Sequence, residues 1–469
     1  MSLLDLTIRE ADLDTLRDLV RRDDGIEAAA YVLCGQSRIH SDPWERRSRR
    51  RLTVHAVLPI PGEDAVSTSE RHVTWSTASY VKLLKRAKDE RLVPGIVHTH
   101  PRGPAQFSGQ DDRNEKDLFQ LASNRNGEDA SLVSILLAEN DQIRARVWPD
   151  LHGPVDASVV RVVGGQLTIQ SPASETSNPD FLARQALAFG PSLNARLSGM
   201  RIGVVGCGGT GSAAAMLLAR LGVGQLVLFD EDIVEVTNLN RLHGARRADA
   251  DAMRPKVEVV AREITGLGIG ARVVPLRCWI GDPQCHDALK ACDVIFGCTD
   301  DHDGRLLLNR LAYYYLIPVI DMGLAIDPAP DGSYLRDLTG RVTVLVPGAP
   351  CLLCRGIVDP SVARDEDLQR RSPEEYERRK REAYVRGGGN SAPAVATFTT
   401  ATACLAVDEM LQALTGFRGP GGWAWQRTRR FDLLRDRRPG ANQQPQRLVC
   451  PSGGTLGRGD VDPCLYRTG

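Results

Sequence analysis

One turn restricts the fold of this chain more than any other feature. The strand-like run RIGVV (201–205) leads into Gly206-Cys207-Gly208-Gly209-Thr210-Gly211-Ser212, and the helical run SAAAMLLARLG starts at once. Glycines at these spacings permit a tight turn and a close approach of backbone to phosphate, whose charge the helix N-terminus favours. The chain beyond repeats the theme. QLVLFDED (225–232), ARVVPLR (271–277), DVIFGCTD (293–300) and IPVIDMG (317–323) read as strands between helical segments. Such alternation predicts an α/β fold, a parallel sheet with helices on both faces.

Composition sets outer bounds. The 469 residues are 42% hydrophobic and 25% charged, with 59 basic against 59 acidic side chains. That is enough apolar material for more than one core. Neutrality excludes attachment to nucleic acid by bulk charge, which needs a basic surface. No apolar run approaches the ~20 residues of a membrane span. The N-terminus, MSLLDLTIREADLD, lacks the basic region of a signal peptide. A cytoplasmic protein with neither nucleic-acid nor membrane partner is expected. Only seven of the basic residues are Lys. A coding bias toward Arg accounts for most of this, and it makes a Lys at a demanding position conspicuous.

Residues 1–155 have another texture. AAAYVLCG (28–35), RLTVHAVLP (51–59), LVPGIVHTH (92–100), ASLVSILLA (130–138) and QIRARVWP (142–149) read as strands. DLDTLRDLVRRD (12–23) and TASYVKLLKRAKDE (77–90) carry apolar residues at helical spacing. SPASETSNPD (171–180) is polar and bounded by Pro. Two domains, 1–155 and 178–469, joined by a linker over 156–177, are expected. The charged stretch 364–391 reads as a solvated helix followed by a Gly hinge.

The first domain carries His98-Thr99-His100-Pro101 and then Ser108-Gly109-Gln110-Asp111. Two His one residue apart on a strand point to the same side. Asp111 can return to that side across a turn rich in Pro and Gly. Two imidazoles and a carboxylate leave one tetrahedral position of Zn²⁺ open for water, the layout of a catalytic site. Glu27, just ahead of a strand, is the candidate general base, and Ser108 a donor to an oxyanion. The pattern resembles the JAMM/MPN metalloprotease family. The resemblance implies an α-β-α domain with a curved mixed sheet. It also implies zinc on His98, His100 and Asp111, Glu27 as base, and cleavage after the C-terminal glycines of ubiquitin-like proteins.

Around the Gly-rich loop, Asp230 and Asp232 end the next strand, where an acid can hold ribose hydroxyls. Taken alone this is the dinucleotide fingerprint of a NAD-dependent oxidoreductase. Asn238-Leu239-Asn240-Arg241, Lys256 and Thr299-Asp300 follow, then Arg305 and Asn309. Arg241, Lys256 and an Asp holding Mg²⁺ are what attack at an α-phosphate needs. Asp300 has an ordinary alternative as a helix N-cap. The set resembles the ThiF/MoeB/ubiquitin-activating adenylyltransferases over about 178–450. The resemblance implies a Rossmann-like doubly wound domain that binds ATP through Gly206, Gly208, Gly209, Gly211, Asp230, Asp232, Asn238, Asn240, Arg241, Lys256 and Asp300. It implies adenylation of the C-terminal glycine of a ubiquitin-like protein, and a homodimer in which Arg184 reaches the partner's ATP. Asp301 stands where the family usually has Asn.

Of the 11 Cys, Cys351 and Cys354 form one Cys-x-x-Cys, which is half a zinc site. With Cys450 and Cys464 it would hold a second, structural zinc; the alternative is a site without its metal. No Cys lies between Cys354 and Cys404, so the position of the family's thioester nucleophile is empty. Cys404 falls in an apolar helical run and reads as buried. The odd, scattered set does not read as a disulfide framework.

Three functional readings are carried forward. In the first the chain is a bifunctional enzyme on the Gly-Gly tail of a ubiquitin-like protein, serving a conjugating enzyme or a sulfur-carrier system. In the second it is a NAD-dependent oxidoreductase with a metal-binding appendage. In the third it is a scaffold with an inactive protease. Nucleotide preference separates the first two, and dependence of cleavage on Glu27 and metal separates the third.

Overall fold

The computed structural model describes residues 3–20, 28–61, 65–68, 73–75, 77–100, 105–138, 141–171, 179–381, 393–437 and 454–461. The N-terminal part runs β1 (Leu3–Arg9), α1 (Glu10–Val20), β2 (Ala29–Ile39), β3 (Arg49–Pro59), β4 (Ala65–Thr68) and β5 (Val73–Trp75). It continues with α2 (Thr77–Glu90), β6 (Val93–His100), α3 (Gly109–Asn126), β7 (Leu132–Ala138) and β8 (Ile143–Trp148). β9 (Val155–Asp156), β10 (Val159–Val163) and β11 (Leu167–Gln170) complete it.

Nine of these strands form one mixed sheet, in the order β11-β10-β1-β3-β2-β6-β7-β8-β9. Alternation along β2 separates its two faces. Ala30, Val32 and Cys34 pack with Leu13, Leu16 and Val20 of α1. Tyr31 and Leu33 pack with Tyr80 and Leu83 of α2 and Phe119 of α3. The result is an α-β-α layering. The sheet curls until the Gln170 side chain of one edge strand accepts the Ile143 N–H of β8 at 2.9 Å. The stretch expected as a linker over 156–177 therefore differs from expectation, because through Gln170 it supplies strands of this sheet.

The C-terminal part opens with α4 (Ala183–Phe189) and α5 (Pro191–Gly199), then β12 (Arg201–Val205), α6 (Gly209–Arg220), β13 (Gln225–Phe229), α7 (Arg247–Asp251) and α8 (Lys256–Gly266). β14 (Arg272–Leu276), α9 (Pro283–Ala291), β15 (Val294–Gly297), α10 (His302–Tyr314), β16 (Val319–Pro328) and β17 (Leu335–Leu345) follow. α11 (Pro360–Arg371), α12 (Pro373–Arg381), α13 (Ala396–Thr415), β18 (Gln426–Arg430) and β19 (Arg435–Arg437) end it. The sheet order is β14-β13-β12-β15-β16-β17-β18-β19. β14 through β16 in that order are parallel, and β17 to β19 are antiparallel. Helices α6, α8 and α13 bury one face and α9 and α10 the other. The sheet is Rossmann-like. Strand order reverses between β12 and β15, and the crevice at their carboxyl ends is where such sheets bind ligands.

Cys278 and Cys285 pair locally, which is no framework, and one cysteine expectation changes: Cys404 is exposed rather than buried.

The two parts meet through buried charge. Arg161 of β10 donates to Asp293, just before β15, at 2.6 Å, and to Asp5 of β1 at 3.0 Å. Arg51 of β3 donates to the Cys292 carbonyl at 2.7 Å. Asp42 accepts from Arg201, the first residue of β12, at 3.1 Å. Lys290 is fully buried and donates to the Arg38 carbonyl. Residues 454–461 add a strap, with the Gly457 carbonyl accepting from Thr53 and Asp460 from Tyr315.

Candidate functional site

His98 and His100 close β6, whose every residue is buried. Thr99 between them points to the other face, and its hydroxyl donates to the Val20 carbonyl of α1 at 3.3 Å. Asp111 is the third residue of α3. Its Oδ1 lies 3.3 Å from His98 Nε2 and its Oδ2 3.4 Å from His100 Nε2. Ligands about 2.0–2.1 Å from a tetrahedral ion lie about 3.4 Å apart, and both spacings, one to each carboxylate oxygen, are of that size. The three are the cluster of metal-ligating side chains among the described residues. His98 Nε2 is buried and makes no hydrogen bond among those residues, as a nitrogen reserved for a metal would. Burial pushes the Asp111 carboxyl up, but the His100 and His98 imidazoles beside it outweigh that and hold the carboxyl far below its usual range.

Ser108 caps α3. Asp111 N–H donates to its Oγ at 3.2 Å, and its own N–H and hydroxyl donate to Asp111 Oδ2 at 2.6 and 2.7 Å. The Ser-x-x-Asp spacing is thus a capping box, a helix start that the sequence reading passed over. Ser108 holds Asp111 directly. Glu27 lies outside the described residues.

The second site is a cleft of about 530 Å³ at the carboxyl ends of the parallel strands. Gly206 has φ +87°, where L residues strain. Val205, Gly206, Gly208, Gly209, Asp230, Asp232, Arg241, Lys256 and Asp300 all line it. Lys256 ion-pairs with Asp232 at 2.7 Å. Burial pushes the ammonium down, while Asp230, Asp232 and Asp300 outweigh it and raise it. Asp230 accepts from the Cys207 N–H at 2.6 Å and the Asp232 N–H at 2.9 Å, so it braces the Gly-rich loop as well as facing the cleft. Burial raises its carboxyl. Arg241 packs across Gly209 and donates to the Thr237 carbonyl at 2.7 Å.

Asp301 settles the ambiguity of its neighbour. It is the N-cap of α10 and accepts from Gly304 N–H at 2.7 Å. That leaves the Asp300 carboxylate facing the cleft without a hydrogen bond among the described residues. A hard dication with oxygen ligands fits such a group.

Other expected residues lie elsewhere. Asn238 ends a 3₁₀ turn and accepts from the N–H of its N-cap, Glu235, at 3.1 Å. Asn240 donates to the Ala394 carbonyl at 3.3 Å. Gly211 packs α6 against the loop: a Cβ there would meet the Gly206 carbonyl oxygen at 1.7 Å. Arg184 is exposed on α4 and does not line the cleft. The Cys351 and Cys354 sulfurs are 3.5 Å apart, and Cys450 and Cys464 lie outside the described residues. The sequence reading missed Trp279 and Arg370 in the cleft wall. The Arg370 guanidinium sits 3.7 Å from the Trp279 ring centre. A charged helical segment gives no signal for such a contact.

Residues 182–451 match the model of the ThiF family, and residues 9–148 match that of prokaryotic homologs of the JAB domain. The chain is 33% identical over 165 residues to the SAMP-activating enzyme E1 of Haloferax volcanii, covering 35% of this chain and 56% of that one. It is 31% identical over 162 residues to the molybdopterin-synthase adenylyltransferase of Escherichia coli, covering 34% and 59%. The chain thus spans less than two thirds of these relatives' length. The crystal structure of Escherichia coli MccB with ATP matches with TM-score 0.43 and 20% identity, over 60% of this chain and 75% of that one.

Proposed function

The chain belongs to the ThiF family, and from that premise we propose that it adenylates the C-terminal glycine of a ubiquitin-like or sulfur-carrier protein. We propose also that its N-terminal domain cleaves after the Gly-Gly tail of such a protein. The observation that carries the first reading is the cleft that gathers the Gly-rich loop, Arg241, Lys256 and Asp300. A hydride-transfer site needs no such cations, which disfavours the oxidoreductase reading. ATP is the substrate here. The loop N–H groups and the α6 N-terminus receive phosphate. Arg241 and Lys256 neutralise charge that builds as the glycine carboxylate oxygen attacks the α-phosphorus and pyrophosphate leaves. Asp300 would hold Mg²⁺. Arg184 is proposed to act on the nucleotide of a second copy in a homodimer. The missing Cys between Cys354 and Cys404 favours sulfur transfer over a thioester relay on this chain.

In the N-terminal domain, zinc on His98, His100 and Asp111 would supply a water that ionises near neutral pH. Glu27 is proposed to take its proton, and Ser108 to donate to the oxyanion. The Cys351–Cys354 pair is proposed as half of a structural zinc site.

ATP–pyrophosphate exchange with a small sulfur-carrier protein ending in Gly-Gly tests the adenylation reading. Exchange is expected, and Asp300→Ala should lower it by about 100-fold or more with unchanged melting temperature. Tight NAD binding without exchange would overturn the reading.

A further inference from the structure

Asp111 stands in the first turn of α3, a helix most of whose residues are not buried. Of the 18 residues of α3, only Glu115, Phe119 and Ala122 are buried. Glu115 follows Asp111 by four residues and so lies on the same face, one turn along. It is 1% exposed, a position where a carboxylate persists only if its oxygens are satisfied. They are: Oε1 accepts from Ser134 Oγ at 2.6 Å, and Oε2 from Arg146 Nε at 2.8 Å and Trp148 Nε1 at 2.6 Å. Ser134 lies on β7, which pairs with the histidine strand so that His98 faces Leu136. Arg146 and Trp148 lie on β8, next to β7.

Arg146 then grips both sides of the α3 cap. Its guanidinium lies 3.8 Å from the Phe107 ring centre and ion-pairs with Asp112 at 2.7 Å. Phe107 in turn packs beside the His98 ring, with centres 5.9 Å apart. One residue before the Ser108–Asp111 cap and one residue after it are therefore tied to the same arginine.

We propose that Glu115 and Arg146 are positioning residues for the metal centre. They tie the helix that carries Asp111 to the sheet that carries His98 and His100. The inference rests on the metal-centre reading. A ligand set must be held within about half an ångström of its working geometry, and Glu115 is the buried polar group of α3 that joins it to the sheet one turn from Asp111.

The test is cobalt and zinc binding to the full chain. Tetrahedral cobalt absorbs in the visible on imidazole, carboxylate and thiolate alike, and thiolates add a near-ultraviolet band, so the visible band that Asp111→Asn removes reports the His98 site apart from any cysteine site. Wild-type protein should show that band, and zinc should displace it; Asp111→Asn should abolish it. Absence of the band in wild-type protein would sink the metal-centre reading itself. Glu115→Gln keeps the shape and loses the charge, and Arg146→Lys keeps the charge and loses the stacking plane. Each should weaken zinc by about 10- to 100-fold and shift the cobalt band. If wild-type protein binds and a folded Glu115→Gln or Arg146→Lys binds zinc with wild-type affinity and spectrum, the pair has only a structural role, whatever the change in melting temperature. If Glu115→Gln does not fold, Arg146→Lys alone decides by the same criterion.

Discussion

Gly211 and Gly208 sit three residues apart in one loop and do different work. A Cβ at Gly211 would lie 1.7 Å from the Gly206 carbonyl oxygen and 2.9 Å from its carbon. Both are backbone atoms at a turn that cannot retreat. At Gly208 a Cβ meets nothing within 4 Å, and φ is an ordinary −73°. Gly211→Ala should therefore cost about 3 kcal/mol of stability and Gly208→Ala less than about 1 kcal/mol, read from urea midpoints. Equal losses would contradict the packing account. At this scale the sequence was legible where a motif forces a backbone and opaque where a side chain has two uses. The loop and Lys256 were found by spacing. Which of Asp300 and Asp301 caps α10 needed coordinates, because both residues suit an N-cap. Lys290 has the same scarcity as Lys256, yet it serves a domain contact rather than chemistry.

Elements were legible in proportion to their periodicity. The expected helix over 77–90 coincides with α2, and the expected strand 51–59 lies within β3. α3 was missed because only three of its residues are buried, too few to write a stripe. β1 was missed because Asp5 and Thr7 are as buried as Leu4, Leu6 and Ile8, so polar residues at the domain contact erase the alternation. The charged stretch after 364 was expected to be solvated. Its helix α11 instead carries Arg370 to the cleft wall, where it stacks on Trp279 and ion-pairs with Asp303 at 2.7 Å. A partly exposed cation–π contact of this kind is worth about 0.5–2 kcal/mol. Arg370→Ala should therefore raise the apparent KM for ATP about 3- to 10-fold and speed proteolytic cleavage between 360 and 381. If both stay at wild-type values, α11 does not depend on that contact.

At the scale of the molecule, both sites stand off the contact between the domains. The contact between the two domains uses Asp42, Arg38 and Arg51, at the end of β2 and start of β3. His98 pairs with Ala29, at the opposite end of β2. Nine residues of strand separate Ala29 from Arg38, about 30 Å. In the second domain the contact uses Arg201 and Asp293, at the amino ends of β12 and β15, while the cleft lies at their carboxyl ends, about 13 Å further on. Each site therefore stands off the contact along its own strands, by about 30 Å in the first domain and about 13 Å in the second. Rows of arginine in a strand read as solvent-facing, so this arrangement was not visible in the sequence. An extended tail gains about 3.3 Å per residue, so about nine residues would be needed to cover the first of these distances alone. A tail released by cleavage is therefore expected to leave the chain before it is adenylated. Isotope dilution tests this. A fusion carrying a labelled carrier protein is mixed with unlabelled mature carrier, ATP and wild-type protein, and the acyl-adenylate is trapped with hydroxylamine. The label in the trapped product should equal the labelled fraction of free carrier at every time, and chelation of zinc should remove it. Enrichment above that fraction would mean a direct hand-off and would overturn this expectation.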